Sequence, residues 1–133
     1  MKAILYADGA SRGNPGPAGA GAVLLDADGH VLAEIARPLG VATNNVAEYT
    51  GLIAGLEEAQ RRGVDDIDVR MDSLLVVEQM NGRWKIKHPN MKPLAARAGE
   101  LWRTFPRRKI AHVPREMNEI ADALSNKAID DAP

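Results

Sequence analysis

The chain has 133 residues, of which 45% are hydrophobic and 26% are charged, and its formal net charge is −1. This length and composition predict one globular domain over residues 1–133 with a core of its own and with the last few residues frayed. Cysteine is absent, which excludes disulfides, thiolate metal sites and a cysteine nucleophile and fits the cytoplasm, and no apolar run has membrane-spanning length.

The first 37 residues predict a β-meander. Residues 2–7 form a short apolar run typical of a buried strand, and residues 20–27 and 30–37 flank Asp28-Gly29, a dipeptide typical of hairpin turns. Between the first two predicted strands lies DGASRGNPGPAG, which holds more Gly, Asn and Pro than a turn requires. We interpret it as a loop whose backbone approaches something closely.

Helices and strands alternate in the rest of the chain. Apolar side chains recur at helical spacing over residues 43–62, and Gly63 ends this helix. The following predicted elements are a strand at 66–71, helices at 73–80 and 93–104, a strand at 109–113 and a helix at 118–129. The order β-β-β-α-β-α-α-β-α predicts an α/β fold with a mixed sheet, in which ligands bind near the carboxyl ends of strands.

Four carboxylates are placed where such a site is expected: Asp8, Glu48, Asp72 and Asp122. Asp8 and Asp72 end predicted strands, and the other two lie in the helices at 43–62 and 118–129. Each also fits a local role. Asp8 suits a turn and Glu48 a capping box with Asn45, whereas Asp72 suits a helix cap and Asp122 a solvated helix position. If the fold brings them together, they repel one another unless cations neutralise them. Mg²⁺ or Mn²⁺ in pairs suits this set of oxygen ligands and the hydrolysis of a phosphodiester.

A basic segment lies in the second half of the chain. Between Asn81 and Lys109 there are nine Lys and Arg residues and one acidic residue, Glu100. In a chain of near-neutral charge, such a segment is typical of a phosphate-binding surface and equally of a solvated helix face.

Four segments together resemble type 1 ribonuclease H (ribonuclease HI). They are DGASRGNPGPAG at 8–19, TNNVAEYTGLIAGLEEA at 43–59, MDSLLVVEQMNG at 71–82 and HVPREMNEIADALSNKA at 112–128. They span nearly the whole chain in the order and spacing of the family. The resemblance implies the ribonuclease H-like fold, a five-stranded mixed sheet whose first three strands are antiparallel, with helices on both faces.

The resemblance also implies an activity, which is endonucleolytic cleavage of the RNA strand of RNA–DNA hybrids to 5′-phosphate and 3′-hydroxyl ends. The family's catalytic metal ligands match Asp8, Glu48, Asp72 and Asp122, which would hold two Mg²⁺ ions in the substrate complex, with Mn²⁺ as a substitute. We expect a monomer with no organic cofactor and no membrane partner. Two alternatives are a non-catalytic hybrid-binding module and another nuclease of the same superfold, such as a resolvase or integrase.

Contacts with the hybrid are expected from two parts of the chain. Amide groups of the loop after the first strand suit 2′-hydroxyls in a wide minor groove, and the start of the helix at 43–62 suits a DNA phosphate. Thr43 and Asn45 also fit simple helix capping. The expected contact residues are Gly9, Ser11, Asn14, Thr43, Asn44 and Asn45.

Some family members carry a long basic handle after the second helix. The corresponding segment here is shorter, and the residues left for a similar role are Arg83, Trp84, Lys85 and Lys87, followed by His88. Trp84 also fits a partly buried position.

Many members have a histidine shortly before the last aspartate that helps product release. Counting back from Asp122 places His112 at that position. Aligning HVPRE to the end of the strand instead puts Arg115 or Glu116 near the metals, and we favour this alignment because His112 falls inside an apparent strand.

Overall fold

The computed structural model describes residues 1–132. Its strands are β1 (Lys2–Ser11), β2 (Gly16–Asp26), β3 (Val31–Ala42), β4 (Asp66–Met71) and β5 (Arg107–His112). Its helices are α1 (Asn44–Arg61), α2 (Leu74–Met80), α3 (Lys92–Trp102) and α4 (Glu119–Asp130), with a 3₁₀ turn at Arg115–Met117 before α4. Within these residues, none of the helices combines the length and apolar content needed to cross a bilayer.

The five strands form one sheet in the order β3-β2-β1-β4-β5. The first three strands pair antiparallel, whereas β1 with β4 and β4 with β5 pair parallel. Helix α1 packs on β1 and on α3, and α4 packs mainly on β2. The predicted mixed sheet of the ribonuclease H-like fold is therefore confirmed.

The first two strands extend far into the stretch that the sequence predicted as a loop. Only residues 12–15 are irregular between β1 and β2, so Asp8 lies inside β1 and not at its end. Glycines that suggested a loop serve helix packing in β2 instead. A Cβ on Gly19 would lie 2.3 Å from the Ser125 carbonyl oxygen, and one on Gly21 would lie 2.3 Å from the Ala121 carbonyl oxygen. Part of the glycine content therefore lets α4 lie directly on the sheet.

Two helices begin at hydroxyl caps. The Thr43 hydroxyl accepts from the Val46 amide at the start of α1, and Ser73 caps α2 through the amide of Val76. The capping role considered for Thr43 is confirmed. The capping box considered for Asn45 and Glu48 is wrong, because the cap lies two residues earlier.

The last helix runs through Asp130, and the Lys127 ammonium donates to the Asp131 carboxylate at 2.6 Å. Asp130, one of the last few residues predicted to fray, is therefore helical, and Asp131 is bonded to that helix. Pro133 lies outside the described residues.

Candidate active site

The four predicted carboxylates line one open cavity of about 510 Å³. Asp8 comes from β1, Glu48 from α1, Asp72 from the residue after β4, and Asp122 from the first turn of α4. Four separate elements thus bring together side chains that are up to 114 positions apart in the chain.

The ends of the parallel strands β1 and β4 place Asp8 and Asp72. The pairing of β1 with β4 stops at Tyr6 and Arg70, so Asp8 and Asp72 each lie two residues beyond the last pair. A period of two returns both side chains to the same face of the sheet. The two carboxylates are therefore neighbours where the strands part.

The carboxylates of the cavity act on one another electrostatically. Burial first, then the charges of Asp72, Asp122 and Glu48, raise the pKa of Asp8 to about 8, against the opposing effect of a bond from the Gly9 N–H. Burial and then Asp72 raise the pKa of Glu48 to about 7, although the Ser73 hydroxyl donates to it. Without a cation, the cavity resists full ionisation.

The donor set fits hard divalent cations, since every candidate ligand atom is a carboxylate oxygen. Within residues 1–132, no three of these carboxylates have ligand atoms that all lie within 4.8 Å of one another. An open arrangement of this kind suits Mg²⁺, which usually keeps several waters and shares substrate oxygens.

A group of side chains outside the cavity does have ligand atoms this close together. Asp26, Asp28 and His30 have ligand atoms within 4.8 Å in the turn between β2 and β3. The Asp26 Oδ1 atom accepts from the backbone amides of Asp28 and His30, both at 2.9 Å. These turn bonds account for the grouping, and His30 is exposed.

A residue that the sequence analysis did not select supports Asp72. Asn118, which is 1% exposed, donates from Nδ2 to Asp72 Oδ1 at 2.8 Å and to the Ala7 carbonyl at 3.0 Å. Its own Oδ1 is buried and has no hydrogen-bond partner among the described residues. An asparagine before a helix suggests a cap, but its side chain makes no cap bond, so only the fold reveals this contact.

The predicted hybrid-contacting residues lie in two adjoining places. Gly9, Ser11 and Asn44 line the carboxylate cavity. A second groove of about 150 Å³ is lined by Asn14, Thr43, Asn45, Val46, His88, Asn90 and Met91. The sequence predicts His88 only as part of the shortened handle, and Asn90 is not among the predicted contact residues.

Hydrogen bonds join the loop after β1 to the start of α1. The Asn44 amide donates to Asn14 Oδ1 at 3.0 Å, and the Ser11 amide donates to Asn44 Oδ1 at 2.9 Å. A Cβ on Gly9 would lie 2.2 Å from the Ala47 carbonyl carbon, so Gly9 also serves the packing of β1 against α1. The two predicted contact regions thus form one connected unit.

The basic loop, residues 83–88, connects α2 to α3 on the surface. Trp84 is 45% exposed and so is not a core residue, and Lys85 and Lys87 are exposed beside it. Arg83 is bound to Glu78 through two hydrogen bonds. Part of the remaining basic segment is occupied by ion pairs, because Arg97, Arg107 and Lys109 pair with acidic residues of α1 and β4.

The three auxiliary candidates have different surroundings. His112 is the last residue of β5, is exposed, and has Glu78 as a charged neighbour. Arg115 lines the carboxylate cavity, whereas Glu116 lines a separate cleft of about 290 Å³. The structure therefore brings Arg115 to the carboxylates, and a part in product release stays a prediction.

Comparisons with known proteins agree on one family. A family model described as Reverse transcriptase-like matches residues 6–128. The bifunctional protein Rv2228c of Mycobacterium tuberculosis is 55% identical over 133 residues, which are 99% of this chain and 36% of that protein. A protein named ribonuclease HI from Halobacterium salinarum is 53% identical over 127 residues, covering 96% of this chain and 64% of that one.

Among solved structures, LC11-RNase H1 in complex with an RNA/DNA hybrid superimposes with a TM-score of 0.93 at 46% identity. The match covers 98% of each chain. The chain described here spans about a third of the mycobacterial relative's length and under two thirds of the haloarchaeal one.

Proposed function

Because the chain belongs to the type 1 ribonuclease H (ribonuclease HI) family, we propose that it is an endonuclease that hydrolyses the RNA strand of RNA–DNA hybrids. The products are 5′-phosphate and 3′-hydroxyl ends, and residues 1–133 act as one domain. The observation that carries the proposal is the cavity that four carboxylates from four elements line beside the loop after β1.

Asp8, Glu48, Asp72 and Asp122 would hold two divalent cations, Mg²⁺ or Mn²⁺. Such ions, when bound, activate water at neutral pH and stabilise a leaving oxygen. The raised pKa values of Asp8 and Glu48 support this, because a cluster that resists ionisation binds cations that relieve its repulsion. No side chain of the protein needs to act as a nucleophile.

In this proposal the hybrid lies across the carboxylate cavity and the groove beside it. Asn44, Ser11 and the loop around Asn14 read 2′-hydroxyls of the RNA strand beside the carboxylates, which distinguishes RNA from DNA without base-specific contacts. Thr43 and Asn90, at the N-terminus of α1 and in the loop facing it, take a phosphate of the DNA strand.

A cleavage assay tests the proposal directly. End-labelled RNA–DNA hybrid, double-stranded RNA and branched DNA are incubated separately with the protein in Mg²⁺ and in Mn²⁺. We expect cleavage of the RNA strand of the hybrid alone. Binding of the hybrid without cleavage in either metal would make the protein a binding module, and preferential cleavage of branched DNA would make it a different nuclease.

Removing the buried amide beside Asp72 is expected to slow cleavage. Asn118→Ala loses both bonds of Nδ2, so Asp72 is no longer tied to β1 and we expect a rate about 10- to 100-fold lower at saturating hybrid. Stability falls by about 1–3 kcal/mol as well. Initial rates and urea unfolding measure the two effects.

A matched control separates rate from stability. Asn81 also donates its side-chain amide to a backbone carbonyl, that of Ile110 at 3.2 Å, but it does not line the cavity. Asn81→Ala should lower stability and keep the rate. Equal rates for the two variants would show that Asn118 has only a structural role.

The basic loop is expected to contribute salt-dependent affinity. Replacing Arg83, Lys85 and Lys87 together by Ala should lower the slope of log K against log salt by about 2 to 3 units, since each phosphate contact contributes roughly one. Hybrid binding measured at several salt concentrations gives the slope. The control is the triple Ala variant at Arg61, Arg62 and Arg107, and an unchanged slope in the basic-loop variant would make that loop an ordinary solvated surface.

A further inference from the structure

Arg12 connects the loop after β1 to α4 at the mouth of the carboxylate cavity. Its Nη1 donates to Asp130 Oδ1 at 2.7 Å, and its Nη2 donates to Asn126 Oδ1 at 3.3 Å. Asn126 lies one helical turn after Asp122 and one turn before Asp130, so the three residues form a row along α4. Arg12 and Asn126 both line the cavity.

Donor chemistry determines how the Asn126 amide is turned. A guanidinium only donates hydrogen bonds, so Asn126 presents its oxygen to Arg12 and its Nδ2 to Asp122. Nδ2 donates to the Asp122 carbonyl at 3.0 Å and to the carboxylate Oδ1 at 3.4 Å. Without Arg12 the Asn126 oxygen loses its donor, and only the two bonds to Asp122 then hold the amide.

The Asn126 contact does for Asp122 what other partners do for the other three carboxylates. Those three have a backbone N–H, a hydroxyl and a buried amide as partners, as described above. Within residues 1–132, Asn126 is the only residue whose side chain donates to the Asp122 carboxylate. Asp122 is also more exposed than Asp8.

We propose that Arg12 is a positioning residue for Asp122, which acts by orienting Asn126 and thereby raises the affinity of the cavity for a divalent cation. The inference rests on the proposed function, which requires cations in this cavity. Partners of metal ligands typically contribute 10- to 100-fold in metal affinity. Arg12 acts through one intermediate residue, so we expect about 3- to 10-fold.

Mn²⁺ binding to the protein without nucleic acid tests the proposal. Isothermal titration calorimetry of Arg12→Leu should show a Kd about 3- to 10-fold higher than that of the wild type, and Arg12→Lys should recover part of the loss because it restores a donor. Asn126→Leu should weaken binding at least as much as Arg12→Leu. The double variant should bind Mn²⁺ no more weakly than Asn126→Leu alone, because both changes break the same link from Arg12 through Asn126 to Asp122.

Arg61→Leu is the matched control. Arg61 is an exposed arginine that is ion-paired with Glu58, and it lies at the opposite end of α1 from Asn44, about 25 Å away. Its Mn²⁺ affinity should equal that of the wild type. Circular dichroism before each titration confirms that every variant is folded.

The competing role for Arg12 is direct contact with an RNA phosphate. In that case Arg12→Leu keeps its Mn²⁺ affinity, its KM for the hybrid rises, and the salt slope falls by about one unit. That result would overturn the proposal, and so would unchanged Mn²⁺ affinity with unchanged KM. The titration needs no substrate, so a wild-type protein that binds Mn²⁺ but cuts no hybrid would contradict the proposed function alone.

Discussion

We expect Asp8→Asn to reduce hybrid cleavage by about 1,000-fold or more while leaving hybrid binding nearly unchanged. The charges of Asp72, Asp122 and Glu48 all act on Asp8, so all three of the other cavity carboxylates are its charged neighbours. An amide keeps the shape of the side chain but cannot supply the anionic oxygen that neutralises a divalent cation. Single-turnover rates in Mg²⁺ and hybrid binding in EDTA measure the two effects.

The control for this variant is Asp28→Asn, which makes the same chemical change at an exposed turn between β2 and β3. It should cleave at the wild-type rate. Wild-type turnover by Asp8→Asn would end the assignment of this cavity as the active site. Loss of hybrid binding together with cleavage would instead place Asp8 among the substrate contacts.

The second large effect concerns stability without metal. The raised pKa of Asp8 means that its carboxyl keeps a proton in the folded protein to about pH 8, whereas in the unfolded chain it ionises near pH 4. The unfolded state therefore releases this proton first as the pH rises. The free energy of unfolding of the metal-free protein consequently falls between about pH 4 and pH 8.

Asparagine at position 8 carries no ionisable group, so Asp8→Asn does not undergo this decrease in the free energy of unfolding. The metal-free variant should therefore be more stable than the wild type at pH 8.5 by roughly 2 kcal/mol. The full shift in pKa sets an upper limit of about 6 kcal/mol, and water in the open cavity lowers the effect. At pH 4 the two proteins should be nearly equal. The pKa of Glu48 is also raised, so the free energy of unfolding of the variant should still fall with rising pH, but less steeply than that of the wild type.

Urea unfolding in EDTA at pH 4, 6 and 8.5 measures this effect. Adding Mg²⁺ at pH 8.5 should stabilise the wild type more than the variant and so reduce or reverse the difference, because a bound cation offsets the repulsion. A variant less stable than the wild type in EDTA at pH 8.5 would show that Asp8 is already neutralised within the protein.

Much of the fold could be predicted from local pattern. The β4 bounds agree with the prediction residue for residue, and α1 differs from its predicted range by one residue at each end. Hydrophobic periodicity and caps act between residues close in the chain, so they are visible in the sequence. The same reasoning selected the four carboxylates that line one cavity.

The auxiliary residues show where that reasoning reached its limit. Two alignments of HVPRE placed either His112 or one of Arg115 and Glu116 near the carboxylates. A strand ending at His112 and a 3₁₀ turn over Arg115–Met117 decide that Arg115 lines the cavity. A sequence does not specify which way a short turn directs successive side chains.

The sequence by itself thus determined the order of the elements, the carboxylates and the family resemblance, because these depend on residue type and short spacing. Only the tertiary structure decided that the glycines of β2 serve the packing of α4, that Asn118 turns away from its helix to hold Asp72, and that Arg12 meets Asn126. These contacts join residues 46 to 114 positions apart. The sequence supplies the donors, acceptors and small residues, but the packing of helices on the sheet selects which of them meet.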